Sequence, residues 1–499
     1  MTTAHAAWTA LFCTVAASAC IHNPPDVDGK PSAPTAPNQL WSAPKSAKTP
    51  DAIPKSVVPP DIAERVKTLT LPDVIEIGLL NNPLTRQSYA LARAAGATIG
   101  AAHGAYLPQV SVAATGEREG STSSSLGSTT GTGTISGSSS RSVSLVQPNV
   151  TASWLLFDFS RSSSFEFARQ TTFAASYQHN ATLQTVVMAI EQAYFSYNSA
   201  KAVRDGDLLT VKEDSTALAA AQAEHDAGTA TISDVLTAKT TLSQALLTLD
   251  TDEGSVQTTR GSLAVAIGFP ANLPYDIAPE PPDVPIQGIA ESIDSLVHIA
   301  VQARQDLAAV RAQAAEADAN IGVIKGEGLP SLKLSGTGSH TFADPSSIDG
   351  TSWNAQVGLS FPIFQGFSNS YNVLQAREQA KASHANAEFQ RDTVVFEVFN
   401  SYYALKTATA RVQSSNDLLT SAKAAYDVDI GKYKQGVGSI IDVTTAEAAL
   451  ASARSQQASA RWTWYSALAQ LSHDVGVIGL HGETNLRLTA DTTQTPPSR

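Results

Sequence analysis

The chain has little cysteine, few aromatic residues and no excess of positive charge. Its 499 residues include two cysteines and 7% aromatic residues, and its net charge is -12. Cys13 lies in an N-terminal apolar run that predicts a cleaved signal, so we expect no intrachain disulfide in the mature protein. The acidic balance argues against a nucleic-acid-binding groove.

Long apolar runs and catalytic motifs are also lacking. Beyond the N-terminus no run reaches the roughly 18 apolar residues of a membrane-spanning helix, so any membrane must be crossed by strands. The ten histidines are scattered. There is no His-Glu-x-x-His, no paired-cysteine spacing, no phosphate-binding glycine loop and no nucleophile elbow. We therefore expect no enzyme activity, no cofactor and no metal site.

The N-terminus carries a short apolar run, AAWTALFCTVAASAC, that ends in small residues. This pattern predicts a signal peptide over residues 1–19 and export of the chain. Cleavage there would leave Cys20 first, and Cys20 is either an incidental small residue of the signal or the acceptor of a lipid anchor. Residues 20–68 are rich in proline and alanine, which predicts an extended tether.

Proline is absent from two long stretches, residues 149–269 and 363–495, and glycine is also absent from residues 367–430. These absences predict very long helices, about 95 to 100 Å at the α-helical rise per residue. Polar residues such as Gln375 and Arg377 exclude a lipid-spanning helix, and alanines at helical spacing allow close helix packing. The helices alone favour a soluble coiled-coil rod.

The sequence is duplicated. Residues 432–450, KYKQGVGSIIDVTTAEAAL, repeat residues 224–242, EHDAGTATISDVLTAKTTL, at an offset of 208 residues, and residues 319–334 repeat residues 97–112. A duplication on this scale predicts two equivalent halves, each with a helix, a strand pair, a very long helix, a tight turn and a helix. The predicted organisation is a first repeat over 69–268, a linker over 269–290, a second repeat over 291–474 and a C-terminal tail over 475–499.

Four segments between the helices alternate in polarity. In TSWNAQVGLSFPIF, Trp353, Val357 and Leu359 fall on one face, whereas Asn354 and Gln356 fall on the other. The predicted hairpins cover residues of about 109–157, with a bulge expected near Pro148, and about 331–363. A strand of a soluble sandwich also alternates. Four such strands that lead into long helices are more typical of a transmembrane barrel, which four strands cannot close without other copies of the chain.

The order of these parts resembles the TolC-type outer membrane efflux protein family, the outer membrane factors. The resemblance extends from about Leu71 to Ser472. It depends on the duplicated order, on the Leu-Pro before each hairpin, on the Leu-Phe or Ile-Phe before each long helix, and on the Gly-x-x-[Ser/Thr]-Ile-x-Asp-Val at the two turns.

The resemblance implies a chain dominated by α-helix with transmembrane β-strands. It implies a homotrimer with a twelve-stranded β-barrel in the outer membrane, four strands per chain, continued by a long α-helical barrel in the periplasm. The implied function is a passive exit duct for efflux or type I secretion. The implied partners are a periplasmic adaptor (membrane fusion) protein and an inner-membrane transporter.

The resemblance also places the two copied stretches at helical hairpin tips, where the periplasmic mouth lies and the adaptor docks. The tip residues are Gly228, Thr229, Asp234, Gly436, Val437, Gly438 and Ser439. The candidate pore-constriction and gating residues are Asp442, Tyr433 and Thr445. Three copies of Asp442 would form a carboxylate ring that favours cations.

Other interpretations of these tip residues remain open. Aspartate in the first turn of a helix is a common cap, which we prefer for Asp234 and keep beside the pore role for Asp442. Tyr433 either makes a gating hydrogen bond or only packs. The family's second acidic position is occupied by Thr445 and its basic position by Gly438. The alternative function, of a different class, is a periplasmic coiled-coil scaffold or adhesin with a soluble β-sandwich.

Overall fold

The computed structural model describes residues 26–27, 30–31, 69–124, 138–278, 292–344 and 349–478. The chain divides into two units, Met1–Ser56 and Val57–Arg499. In the first unit the described residues form a short antiparallel ladder of Asp26–Val27 with Lys30–Pro31. The predicted signal peptide and Cys20, together with most of the predicted tether, linker and tail, lie outside the described residues.

The helices of the second unit repeat their lengths between the two halves. In the first half α1 spans Leu71–Asn81 (11 residues), α2 Pro83–Gly104 (22), α3 Ser160–Asp226 (67) and α4 Ile232–Ala266 (35). In the second half α5 spans Ile293–Ala303 (11 residues), α6 Gln305–Glu327 (23), α7 Ser368–Lys434 (67) and α8 Ile440–Val475 (36).

Local sequence signals set the helix starts. The Asp73 carboxylate accepts hydrogen bonds from the Thr70 backbone N–H at 2.9 Å and from the Thr70 hydroxyl at 2.7 Å, which closes a capping box at α1. Asn82 then caps α2 by accepting from the Leu84 N–H at 2.8 Å, and Pro83 occupies the first turn. Each half therefore begins with a short helix that turns directly into a longer one.

The two 67-residue helices dominate the second unit. Because an α-helix rises about 1.5 Å per residue, each is about 100 Å long. Within the described ranges, no helix combines the length and the apolarity that crossing a bilayer would require.

Two apolar cores hold the helices together, and equivalent residues build them. In the first core α1 and α4 pack on the middle of α3, around Val186 and Ile190. In the second core α5 and α8 pack on the middle of α7, around Val394 and Val398, which follow Val186 and Ile190 at the repeat offset. Helix α8 belongs to both, because it places Trp462 in the first core and Trp464 in the second. The two halves are thus joined through α8.

The strands form one antiparallel sheet. They are β1 (Gln109–Ser124), β2 (Ser138–Asp158), β3 (Ser331–Asp344) and β4 (Gly350–Ser360), in the order β1-β2-β3-β4. Strands β2 and β3, which come from different halves, pair along the middle of the sheet. Strands β1 and β4 are the edges, and neither has a second partner among the described strands.

Each face of this sheet has one chemical character. Residues that oppose each other across an antiparallel ladder share a face. One such row across the four strands is Val112, Val150, Gly338 and Trp353. The next row, on the opposite face, is Ser111, Thr151, Thr337 and Asn354. The predicted alternation therefore produces an apolar face and a polar face across these central rows of the sheet.

The apolar face is open, which contradicts the alternative of a soluble sandwich. Trp353 is 82% exposed and Leu359 is 72% exposed. No second sheet formed by the described residues of this unit packs against them. Because a soluble sandwich buries such a face between two sheets, the described residues of this unit do not form one.

Two strand details differ from the sequence-based expectation. The bulge expected near Pro148 was wrong, because Pro148 pairs in register with Ala114, and the β2–β3 register shifts instead between Leu155 and Phe157. A proline removes one N–H from the ladder but does not insert an extra residue. Strand β4 ends at Ser360, two residues before Pro362, rather than near residue 363.

We expect the substitution Gly326→Ala to weaken the contact between α6 and α3. A Cβ at residue 326 would lie 2.7 Å from the Cβ of Ser160 and closer still to the Ser160 backbone. Such overpacking costs about 1 to 3 kcal/mol, which hydrogen exchange of α6 in the detergent-purified protein would measure. Gly254→Ala is the control, because no atom lies within 4 Å of its Cβ. Unchanged exchange in Gly326→Ala would contradict this account of the contact.

Candidate gate at the helical hairpin tips

The two helical hairpins end in the same turn. Gly228 has φ 77° and Gly436 has φ 72°, in the left-handed region that glycine adopts without strain. The N–H of Thr229 donates to the carbonyl of Glu224 at 2.9 Å, and its counterpart, the N–H of Val437, donates to the carbonyl of Lys432 at 3.0 Å. Both turns therefore close the preceding long helix with one Schellman-type motif.

The next helix starts with a capping box at both tips. Asp234 accepts from the Thr231 N–H at 2.9 Å, and Asp442 accepts from the Ser439 N–H at 3.3 Å. The structure thus gives both aspartates a capping bond. Asp442 remains exposed, so the cap does not remove it from the tip surface. The capping role and a pore-lining role are compatible for this residue.

Gly438 has less free space for a side chain than the turn glycines Gly228 and Gly436. A Cβ at this position would lie 3.0 Å from both the Cβ of Lys432 and the backbone N of Tyr433. The counterpart in the first tip is Ala230, which has a side chain. A side chain at residue 438 would therefore have to displace the end of α7 by a few tenths of an ångström.

Thr445 and the apolar tip residues complete the surface. The Thr445 hydroxyl donates to the carbonyl of Ile441 in its own helix at 2.7 Å, and Thr445 lines a cavity together with Asp207 of the first hairpin. The tips expose large apolar side chains, namely Ile232 and Leu236 in the first tip and Val437 and Ile441 in the second. Exposed apolar groups of this kind mark contact surfaces.

Tyr433 joins the two tips within one chain. It lines a groove of about 390 Å³ together with Glu224 of the first hairpin. Its hydroxyl is buried and makes no hydrogen bond among the described residues. Burial, reinforced by the neighbouring Glu224 carboxylate, raises the pKa of Tyr433 to about 12. The hydroxyl is therefore protonated and lies near the Glu224 carboxylate at the junction of the hairpins.

Deeper in the stalk an ion pair links the hairpins. Arg454 of α8 donates to both carboxylate oxygens of Glu213 of α3, at 2.7 Å and 3.0 Å. Bidentate pairs of this kind fix geometry as well as add energy. Sequence reasoning did not identify these residues, nor the buried Asp214 and Glu447 beside them. One signal for Glu447 exists, since it interrupts the apolar spacing between Val443 and Leu450.

Metal binding finds no support at the tips. Among the residues that the structure describes, no three histidine, cysteine, aspartate or glutamate side chains are grouped so that they could hold a metal ion.

Comparison with protein families gives one match over most of the chain. Residues 74–269 and 296–477 match the model of the family described as outer membrane efflux protein. Among similar proteins, Protein CyaE of Bordetella pertussis is 27% identical over 405 residues, which cover 79% of this chain and 81% of that protein. Outer membrane efflux protein BepC of Brucella suis is 26% identical over 62% of this chain and 64% of that protein.

Solved structures share the fold. The CmeC outer membrane channel of Campylobacter jejuni superposes with a TM-score of 0.68 at 16% sequence identity. The match covers 93% of this chain and 96% of CmeC.

We expect Gly438→Ala to loosen the second tip. The added methyl group must displace the end of α7, which costs about 1 kcal/mol locally, so limited proteolysis at the tip should become several-fold faster. Gly431→Ala is the matched control, because no atom lies within 4 Å of its Cβ and the position is helical. Equal cleavage rates in the two variants would show that the turn has room for a side chain.

Proposed function

Since this chain belongs to the outer membrane efflux protein family, we propose that it forms the outer membrane exit channel of a tripartite efflux or type I secretion system. It conducts cargo passively from a periplasmic adaptor and an inner-membrane transporter to the exterior. The observation that carries the proposal is the four-stranded sheet, whose open apolar face and unpaired edges stand on a helical stalk about 100 Å long.

The sheet has the chemistry of a barrel wall. Its apolar face would contact lipid, and its row of serine, threonine and asparagine residues would line water. Aromatic side chains concentrate where the strands meet the long helices, as expected at a membrane interface. These exposed residues are Tyr106, Phe157, Phe159, Phe361, Phe364 and Phe367.

The edges of the sheet require further copies of the chain. Hydrocarbon offers no hydrogen-bond partners, so β1 and β4 cannot remain unpaired in a membrane. The pairing of β2 with β3 is the template for pairing β4 of one copy with β1 of the next. Single-chain barrels begin at about eight strands, and three copies of four strands make a closed cylinder of twelve.

The helices point to the same assembly. Helix α6 packs between α3 and α7, whereas its counterpart α2 packs on α3 and has no comparable second neighbour among the described helices. At Gly326 of α6 a Cβ would meet Ser160, but at the equivalent Gly104 of α2 no atom lies within 4 Å. The free side of α2 is therefore complementary to the α7 of a neighbouring copy.

An unburied stripe on α7 supplies the other half of this contact. Phe389 is 70% exposed, whereas its repeat counterpart Ala181 on α3 is 8% exposed. Tyr403 is likewise exposed, but its counterpart Phe195 is buried. These positions are thus buried on α3 of the first half and exposed on the equivalent helix α7 of the second half. In a ring of alternating repeats, a neighbouring copy would cover the exposed positions of α7.

We expect the double variant Gly104→Cys/Ser368→Cys to form disulfides between chains. Ser368 is the repeat counterpart of Ser160, as Gly104 is of Gly326, so the pair should meet across the subunit boundary. Non-reducing electrophoresis should show linked species up to a trimer. The single variants Gly104→Cys and Ser368→Cys are the controls, and each should run as a monomer because it lacks one half of the pair. Monomers alone from the double variant under oxidation would contradict the assembly.

We expect Asp442→Ala to weaken block by divalent cations, or to raise conductance, in planar-bilayer recordings. Removal of a threefold carboxylate ring removes the cation-binding sites at the constriction. Asp234→Ala is the matched control, because it deletes the same type of capping box from the equivalent turn. Equal effects of the two substitutions would assign Asp442 to capping alone.

A further inference from the structure

A pair of buried carboxyl groups lies between the hairpins. The residue roles implied by the family resemblance do not include this pair. Asp214 of α3 and Glu447 of α8 are each 2% exposed. Asp214 Oδ1 and both carboxyl oxygens of Glu447 are buried without a hydrogen-bond partner among the described residues. Both side chains line a cavity of about 630 Å³, whose walls also carry several threonine hydroxyl groups.

Positive charge compensates this pair only in part among the described residues. Arg454 lowers the pKa of Glu447, but Glu213 already engages the Arg454 guanidinium through both carboxylate oxygens. Two neighbouring buried carboxylates cannot both ionise cheaply when neither forms an ion pair with a cation. The pair is therefore expected to share one proton, as coupled acids do.

Electrostatics at the pair agree with the geometry. Burial, together with the adjacent Asp214 carboxyl, raises the pKa of Glu447 to about 8, and burial also raises the pKa of Asp214. The other titratable groups facing the cavity or the pair come from α3, α4, α7 and α8; they are Asp207, Glu213, Asp252, Tyr426 and Arg454. Only Arg454 among them is a cation, and it belongs to the Glu213 ion pair.

The repeat shows that helix packing does not require these acids. At the repeat offset, the counterpart of Glu447 is Lys239 and the counterpart of Asp214 is Ala422. The first half therefore builds the equivalent helix positions with a lysine and an alanine. The buried carboxyl pair is specific to the contact between α3 and α8 inside one chain.

We propose that Asp214 and Glu447 form a proton-dependent latch, in which one shared proton holds α8 against α3 and its loss to water separates the two hairpins. The latch rests on the proposed function in one respect, because it takes separation of the two hairpins to open the periplasmic mouth of the channel. The shared proton allows one carboxyl to donate to the other. Without it, two buried charges repel each other across the helix contact.

The sign follows from proton linkage. The latched state binds the proton more tightly than a separated state, in which water surrounds both carboxyls and the pKa is ordinary. Latching is therefore strongest below the ordinary glutamate pKa of 4.5 and is lost as pH rises through about 8. Within that window one proton changes the ratio of separated to latched hairpins by up to about tenfold per pH unit.

Infrared difference spectroscopy of the full-length detergent-purified protein tests the proton directly. We expect a protonated-carboxyl stretching band at pH 7 that disappears as pH rises through about 8. Glu447→Gln and Asp214→Asn should each remove the part of this band that titrates near pH 8. Burial also raises the pKa of Glu191 and of Asp207 to about 7, so the contribution of these two carboxyls should remain. Glu253→Gln should retain the whole band, because Glu253 is an exposed acid of α4. Absence of the band in the wild-type protein at pH 6 to 7 would overturn the proposal, whether or not the chain is a channel.

Planar-bilayer recording then tests the coupling. The open fraction of the wild-type channel should rise with pH. The Glu447→Gln channel should stay closed across the same pH range, because the amide of the introduced glutamine donates to Asp214 and does not titrate. Asp214→Asn provides the same test if Glu447→Gln folds poorly. A titrating band with a pH-independent open fraction would overturn the latch and leave the channel intact. Wild-type protein without conductance at any pH would refute the proposed function, and the infrared result would still decide whether the pair holds its proton.

Discussion

The unpaired backbone at the two edges of one small sheet is the constraint on which the rest of this molecule depends. Strands β1 and β4 present N–H and C=O groups that hydrocarbon cannot satisfy. A chain with an open apolar face and two open edges is complete only beside further copies. The proposed trimer follows from this requirement, and the helical stalk must then accommodate the same ring of subunits.

Because the sequence is duplicated, contacts of the type already made between the two halves can also satisfy the open edges of the sheet. In the proposed assembly, contacts between the halves, such as α6 with α3 and β2 with β3, are templates for contacts between copies. A Cβ at Gly326 would meet Ser160 of the same chain, whereas no atom lies within 4 Å of a Cβ at the counterpart Gly104. The proposed ring would therefore alternate two similar contacts, one inside a chain and the other between chains.

The hairpin tips depart from this equivalence, and the departures concentrate at the contact between α3 and α8. Both tips share a turn glycine and a capping box, yet Gly438, Tyr433, Arg454 and Glu447 have no chemical equivalents in the first half. A strictly repeated tip would make all contacts around the mouth alike. These differences confine the proposed proton-dependent latch to the contact between α3 and α8 inside one chain.

The sequence by itself determined the elements that depend on neighbouring residues. Absent proline and glycine predicted two very long helices, and each proved to have 67 residues. The sequence also predicted the fold class, the family and the outer membrane efflux function, because duplication and alternating polarity are properties of the sequence alone. Only the tertiary structure decided the contacts between distant residues. It moved the bulge from Pro148 to Leu155–Phe157 and placed Asp214 and Glu447 in the lining of one cavity. Such contacts depend on helix rotation and strand register, which arise from the packing of whole elements and leave no local pattern in one sequence.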